Sequence, residues 1–285
     1  MSIFDEVNLG LERLSTRGAR VFSIGRSVLG TDVMAAVIGS RQPVVLMHAS
    51  IHAREHVTTR VLMRLVRDFS PRHSRLVIVP VANPDGVKIA TEGTGFLPDE
   101  ERAFFDGLNT DLSLIKCNAR GVDLNVNFNA RWGEGRQNAF SPGAANYVGP
   151  FPESEPETRA LIHLTQRFRP VVSVSWHARG AEIYWSFGRR ADYEADYREM
   201  AGKYAESTGY PLREAEGSVG GYKDWFIESG YGMGLTIEVG DSDLDYNATD
   251  AAVNHIAERT KEVLRLADEH AGQIYRRRIY GRGPY

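Results

Sequence analysis

Short apolar runs alternate with longer amphipathic segments along the chain. Residues 33–39, 43–47 and 76–81 are rich in valine and other apolar residues and have the length of buried strands. Between the last two runs, residues 55–69 place valines and leucines at helical spacing. A strand, a helix and a second strand in this order predict a β-α-β unit with parallel strands.

The second half of the chain repeats this pattern. Residues 170–176 and 233–239 have the composition of buried strands, and residues 249–271 carry the apolar stripe of a closing helix. Residues 83–120 and 127–158 are rich in glycine, asparagine and proline, which predicts long surface loops. Together these elements predict an α/β fold with a mixed, mostly parallel sheet and helices on both faces.

The composition is that of an average globular protein. Of 285 residues, 42% are hydrophobic and 25% are charged, and no repeat or linker divides the chain, so we expect one domain over residues 1–285. A net charge of −3 argues against a nucleic-acid surface, and no apolar run is long enough to span a membrane. The single cysteine, Cys117, excludes an intrachain disulfide, and no secretory signal follows Met1. We therefore expect a cytoplasmic protein, and its oligomeric state is not indicated.

The segment His52-Ala-Arg-Glu55 is a candidate metal motif. A histidine and a glutamate three residues apart, at a strand–helix junction, offer nitrogen and oxygen to one zinc ion. The motif alone is common, and an acid at a helix start also complements the helix dipole. A third ligand is needed, and His177 is the best candidate because it directly follows an apolar strand. Its alternative is a buried, hydrogen-bonded histidine; His48 and His56 flank the motif and could support the ligands.

A second candidate is Glu238, which lies inside the apolar run 235–239. A carboxylate in such a strand is costly unless it is paired or has a task, and the task that fits is general base for a zinc-bound water. The alternative is a salt bridge to an arginine. The polar strings 118–125 and 220–225 are either parts of a site or an ordinary turn and helix start, with Asp224 as a first-turn acid.

Taken together, these residues resemble the zinc carboxypeptidase family, the clan of pancreatic carboxypeptidase A, from about residue 24 to residue 240. The resemblance implies a carboxypeptidase-like fold of the phosphorylase/hydrolase type and one zinc ion per chain, held by His52, Glu55 and His177. It also implies that Glu238 moves a proton from water to the leaving amine. Lys116 stands in the place of the family's oxyanion arginine. Further matching segments are residues 24–31, Asn83-Pro-Asp-Gly86 as a structural turn, and Gly121-Val-Asp-Leu-Asn125 as the substrate-carboxylate segment.

Departures from the family pattern concern the substrate. Val126 stands where ordinary carboxypeptidases have the arginine that clamps the terminal carboxylate of the substrate. The family's mobile tyrosine has no clear counterpart: Glu216 falls near its place, and Tyr222 follows a few residues later. Lys223 occupies the position that sets the leaving-side pocket, where a lysine favours an acidic group on the departing residue.

The strings at residues 176–185 and 221–226 are similar to the bacterial branch that cleaves γ-D-glutamyl–diamino acid bonds in cell-wall peptides. This similarity implies hydrolysis of a small peptide at the γ-D-glutamyl–meso-diaminopimelate bond, with Lys223 meeting the far carboxylate. Because no leader or wall-binding repeat is visible, we expect an enzyme that trims recycled muropeptides. The expected substrate-binding residues are Asn125, Arg179, Tyr222, Lys223 and Asp224, and Tyr184 is a further candidate.

Three alternatives stay open. The first is a metallocarboxypeptidase that removes C-terminal acidic residues, with Arg120 or Arg131 in place of the missing clamp. The second is an amidohydrolase acting on small N-acyl amino acids, with the long loops closing the site. The third is a protein that binds zinc and a ligand without turnover. The presence of Glu238 argues against it, because such a protein has no need of a buried general base.

Overall fold

The computed structural model describes residues 2–188, 194–215 and 217–281, and its strands form one eight-stranded sheet. The strands are β1 Arg20–Arg26, β2 Asp32–Ile38, β3 Val44–His48, β4 Arg75–Val79, β5 Val172–His177, β6 Glu182–Tyr184, β7 Leu212–Arg213 and β8 Met233–Glu238. Their order is β1-β2-β4-β3-β5-β8-β6-β7. The four central strands, β4, β3, β5 and β8, are parallel, whereas β1, β2 and β6 join the sheet through antiparallel pairs. The predicted mixed, mostly parallel sheet is confirmed.

Helices cover both faces of this sheet, as predicted. They are α1 Ile3–Thr16, α2 Val57–Val66, α3 Pro84–Glu92, α4 Asp99–Gly107, α5 Pro156–Phe168, α6 Glu194–Thr208, α7 Tyr222–Glu228, α8 Asp250–Thr260 and α9 Glu262–Tyr280. The apolar residues of α1, α2, α6, α8 and α9 belong to the core on one face, and those of α5 and α7 to the core on the other. None of the described helices combines the length and the apolar character that crossing a membrane requires.

Strand β3 shows why the sheet centre reads as a continuous apolar run. Val45 and Met47 belong to one core and Val44 and Leu46 to the other, and all four are at most 1% exposed. Successive side chains of a strand point to opposite faces, so a strand covered on both sides has no solvated face. The charged or ionisable residues of β3, β5 and β8, namely His48, His177 and Glu238, lie at the ends of these strands, whereas small polar residues such as Ser173 and Ser175 lie inside β5.

Two predicted segments differ from the structure. The predicted loop 83–120 contains α3 and α4: Asn83 accepts a hydrogen bond from the Gly86 N–H, and Pro84 occupies the first turn, so the Asn-Pro-Asp-Gly string starts a helix. The predicted closing helix 249–271 is two helices, α8 and α9. Lys261 between them keeps helical dihedral angles, and the second helix extends further because its apolar stripe continues to Ile274.

Candidate active site

Three neighbouring parallel strands end at the candidate site. His52 lies four residues beyond the end of β3, His177 is the last residue of β5, and Glu238 is the last residue of β8. His177 and Glu238 are directly paired in the β5–β8 register. The carboxyl ends of parallel strands form one edge of an α/β sheet, which is where such folds place their ligands.

His52, Glu55 and His177, here called the ligand cluster, form one buried group. The two Glu55 carboxylate oxygens lie 2.8 Å from His52 Nδ1 and 3.1 Å from His177 Nδ1. One ligand atom from each residue can be chosen so that all lie within 4.8 Å of one another. Ligand atoms at about 2.0–2.1 Å from a tetrahedral zinc ion are separated by roughly 3.3 Å. The His, Glu, His donor set and its spacing therefore fit zinc.

Local hydrogen bonds hold Glu55 in this position. A short 3-10 helix, Ala53–Glu55, follows His52, and its first N–H donates to the Lys116 carbonyl at 3.1 Å. The Thr58 hydroxyl donates to the Glu55 carbonyl at 2.7 Å, and the Ala178 N–H donates to the Glu55 carboxylate at 3.1 Å. The carboxylate is thus fixed by contacts with β5 as well as with its own segment.

Asp123 supports the cluster from outside, and the sequence analysis did not single it out. Its carboxylate lies 3.2 Å from His52 Nε2 and accepts the N–H groups of Asn125 and Asn146, each at 3.1 Å. Burial opposes ionisation, but the His52 ring outweighs it and holds the pKa of Asp123 well below its usual range. A carboxylate on the far nitrogen of a metal-binding histidine fixes the ring orientation and its tautomer.

The two acids around His52 also change its protonation. Burial lowers the pKa of His52, yet the Glu55 and Asp123 carboxylates more than compensate and raise it to about 9. The same contacts hold the pKa of Glu55 below its usual range despite its burial. A histidine must be neutral to bind a metal, so zinc binding at neutral pH displaces a proton from this ring.

Glu238 lies in a different environment from Glu55. Its side chain is half-buried, and burial, reinforced by repulsion from the Glu55 carboxylate, raises its pKa to about 8. The ammonium group of half-buried Lys116 acts in the opposite direction on Glu238, and it also lowers the pKa of Asp123. A carboxyl group with a pKa close to neutral can both accept and return a proton.

A cavity of about 210 Å³ opens beside Glu238. Its lining includes Lys223, whose ammonium lies 2.6 Å from the Asp224 carboxylate and donates to the Ser186 carbonyl at 2.7 Å. Three of the five predicted substrate residues, Asn125, Lys223 and Asp224, therefore share one cavity with Glu238. The lining residues are Asn125, Tyr184, Ala215, Ser218, Gly221, Lys223, Asp224, Thr236 and Glu238.

The other two predicted substrate residues lie elsewhere. Tyr222 is fully buried: its hydroxyl is 2.8 Å from the Thr165 hydroxyl, and its ring packs on His48, so the structure moves Tyr222 from the predicted pocket to the core. Helical spacing turns Tyr222 toward the sheet while Lys223 faces the cavity. Arg179 is exposed and stacks over the Tyr246 ring at 5.2 Å, outside the cavity lining. Glu216 lies outside the described residues.

No arginine of the described chain lines this cavity. Arg120 lies 3.7 Å from Glu155, and Arg131 pairs with Glu134 at 2.8 Å, with both arginine side chains about half exposed. Val126 is half-buried and apolar. Neither of the arginines considered as substitutes for the clamp is therefore placed to perform that role in this conformation.

His48 and His56, the histidines that flank the motif, have pKa values well below the usual value of a histidine. Burial is the main cause that lowers the pKa of His48 to about 3, and His48 Nε2 lies 2.9 Å from the Ser175 hydroxyl. Burial, with Arg60 nearby, lowers the pKa of His56 to about 4. Their expected role beside the ligands is filled by Asp123, which contacts His52 directly.

The chain matches the family model of the zinc carboxypeptidases over residues 11–263 and belongs to that family. The family resemblance inferred from the motifs is thus confirmed, and the family is zinc-dependent. Gamma-D-glutamyl-L-diamino acid endopeptidase 1 of Lysinibacillus sphaericus is 31% identical over 241 residues, which cover 76% of this chain and 59% of that protein. Murein peptide amidase A of Escherichia coli K12 is 31% identical over 162 residues, 54% of this chain and 57% of that protein. The chain thus spans less than two thirds of the length of these relatives.

Solved structures confirm the carboxypeptidase-like fold. Bovine thrombin-activatable fibrinolysis inhibitor, in complex with a tick carboxypeptidase inhibitor, matches with a TM-score of 0.78 at 18% identity, over 96% of this chain and 98% of that chain. Murein-tripeptide amidase from Escherichia coli O157 matches with a TM-score of 0.60 at 25% identity, over 85% of this chain and 91% of that chain.

Proposed function

We propose that this chain is a zinc peptidase that hydrolyses the γ-D-glutamyl–meso-diaminopimelate bond of cell-wall-derived peptides. The observation that carries the proposal is one cavity whose described lining includes both half-buried Glu238 and buried Lys223. A peptide whose scissile amide lies at Glu238 places the side chain of its departing residue against the lysine. The two relatives named above, whose names refer to diamino acid and murein peptides, support the same substrate class.

In the proposed mechanism, His52, Glu55 and His177 hold zinc, which supplies Lewis acidity toward water and the scissile carbonyl when it is bound. Glu238 accepts a proton from the attacking water and passes it to the nitrogen of the departing amine. Lys116 places positive charge where the carbonyl oxygen becomes negative during the attack. Asp123 keeps the His52 ring oriented throughout.

The cavity also bears on which peptides can bind. No arginine lines the described cavity, so a free α-carboxylate on the departing residue has no such partner there. This holds for the C-terminal residue of a carboxypeptidase substrate and for the diaminopimelate of the tripeptide alike, so the missing clamp does not separate these two substrates. Lys223 remains the cation that reads the departing residue. A carboxypeptidase removing C-terminal acidic residues is the second candidate, because its departing side chain would also meet Lys223, although the Asp224 carboxylate already pairs with this lysine. The cytoplasmic location and the single-domain organisation stay predictions.

Product analysis by mass spectrometry tests the proposal. Zinc-loaded protein is incubated with L-Ala-γ-D-Glu-meso-diaminopimelate and, separately, with an N-blocked peptide ending in free glutamate, with Glu238→Gln as the control. We expect release of diaminopimelate from the first peptide alone and no release by the control. Release of glutamate from the second peptide alone would overturn the proposal in favour of an acidic carboxypeptidase.

A further inference from the structure

The cavity lining includes a buried ion pair. Lys223 and Asp224 are only 6% and 4% exposed, and their charged atoms are 2.6 Å apart. Together they bring no net charge to the cavity. A departing residue with a lone carboxylate would find a lysine whose charge is already balanced, and its own charge would be left buried without compensation.

Both members of the pair keep hydrogen-bonding capacity. The Lys223 ammonium has three N–H donors. It donates to the Ser186 carbonyl, pairs with the Asp224 carboxylate and lies 5.6 Å from the centre of the Phe187 ring. The Asp224 carboxylate has about four acceptor sites. Its Oδ2 accepts the Gly221 N–H at 3.3 Å, whereas its Oδ1 lies close to the Lys223 ammonium but accepts no hydrogen bond from the described residues. One donor and at least one acceptor site are thus left for a ligand on the described contacts.

We propose that Lys223 and Asp224 together read a zwitterionic amino acid head group at the far end of the departing residue. Lys223 donates to its carboxylate, and Asp224 accepts from its ammonium, so the four charges of the ion pair and the head group alternate and sum to zero. This inference rests on the proposed function, because it requires the departing residue to enter the cavity from Glu238. It makes Asp224 a recognition residue in addition to its role at the start of α7, where it caps the Gly221 N–H.

Three peptides distinguish the contribution of the far carboxylate from that of the far ammonium. L-Ala-γ-D-Glu-meso-diaminopimelate carries both far groups, the L-lysine analogue lacks the carboxylate, and the 2-aminopimelate analogue lacks the ammonium. Calorimetry on zinc-loaded Glu238→Gln protein measures their binding without turnover. We expect the diaminopimelate peptide to bind about tenfold or more tightly than either analogue, since each lost charged hydrogen bond removes this much affinity. Equal binding of the 2-aminopimelate peptide, or no binding of any peptide, would overturn the inference.

A neutral double variant provides the matched control. In the Glu238→Gln background, Lys223→Met with Asp224→Asn removes both charges together, leaves no unpaired ion and keeps an acceptor for Gly221. We expect the preference for diaminopimelate to disappear, whereas a preference that persists would contradict the assignment. Hydrolysis by the wild-type protein is measured on the same peptides. Cleavage without selective binding would refute only the inference, and selective binding without cleavage would refute the proposed function while supporting the ion pair's role.

Discussion

The ligand cluster and the cavity border each other but are built in different ways. The cluster joins residues at or just beyond the ends of β3 and β5, and its carboxylate is held by both strands' segments. The cavity is lined by the first turn of α7, which carries an ion pair, by loop residues and by the ends of β6 and β8. The sheet edge positions the side chains proposed to bind the metal, and the start of α7 beside it lines the cavity proposed to receive the departing residue. Change in the second region can therefore alter the substrate without disturbing the first.

Glu55 and Glu238 show the same contrast in their electrostatics. Both are acids beside the same histidines, but direct hydrogen bonds to His52 and His177 hold the pKa of Glu55 low, while burial and the Glu55 charge raise that of Glu238 to about 8. One carboxylate thus stays ionised, as a metal ligand must, and the other can exchange a proton.

The largest expected effect comes from removing the Glu238 carboxylate while Glu55 stays unchanged. Replacing Glu238 by glutamine removes the proton acceptor without changing side-chain volume, and we expect kcat to fall by about 10²–10⁴-fold. Steady-state kinetics on the diaminopimelate peptide measure this change. A Glu238→Gln protein with nearly normal kcat would show that another group moves the proton.

The next largest effect concerns the stability that the Lys223–Asp224 ion pair gives to the cavity. Lys223→Met leaves the Asp224 charge buried without its partner, and we expect the free energy of unfolding to fall by about 3–5 kcal/mol. Urea denaturation measures the loss. The double variant with Asp224→Asn is the control and should recover most of the stability; a single variant as stable as wild type would mean that the pair is solvated in solution.

Glu157 is another buried carboxylate, and it contacts the segment 118–125, which carries Asp123 beside the cluster and Asn125 in the cavity lining. It accepts the Val28 N–H at 3.1 Å and the Asn118 side-chain amide at 3.3 Å, and burial raises its pKa from 4.5 to about 7. The native state therefore keeps a proton that the unfolded chain releases above pH 4.5. Its stabilising contribution is complete below 4.5 and is lost as pH rises to 7, at about 1.4 kcal/mol per pH unit, or roughly 3 kcal/mol in all.

Glu157→Gln removes this titration, so its stability relative to wild type should rise between pH 4.5 and 7. Denaturant unfolding of both proteins at several pH values checks the difference. Parallel stability curves for the two proteins would show that Glu157 titrates normally in the native state.

The smallest effect concerns the positioning residue of the cluster. Asp123→Asn keeps the shape but weakens the contact with His52 Nε2, and we expect zinc affinity to fall by about 10–100-fold. Competition with a chromophoric chelator measures the affinity. An unchanged zinc affinity would refute the orienting role, whatever happens to turnover.

The sequence predicted the parts of the site that lie at strand ends and failed where contacts depend on packing. His177 is recognisable because it ends an apolar run, and Glu238 because it is a carboxylate inside one. Asp123 has the same character, between Val122 and Leu124, but its partner His52 is 71 positions away and only the fold brings them together. The similarity of residues 221–226 to the peptidase branch predicts Tyr222 in the pocket. The orientation of α7 against the sheet instead turns the Tyr222 ring into the core.

The central claim is that the ligand cluster binds the metal and that Glu238 transfers the proton without being a metal ligand. Zinc titration of wild type, Glu55→Gln and Glu238→Gln tests it most directly, with circular dichroism confirming that each protein is folded. We expect Glu238→Gln to bind zinc within about threefold of wild type and Glu55→Gln to bind at least about 100-fold more weakly, since a ligand is lost only in the second. Wild-type affinity in Glu55→Gln, or a comparable loss in Glu238→Gln, would contradict the account.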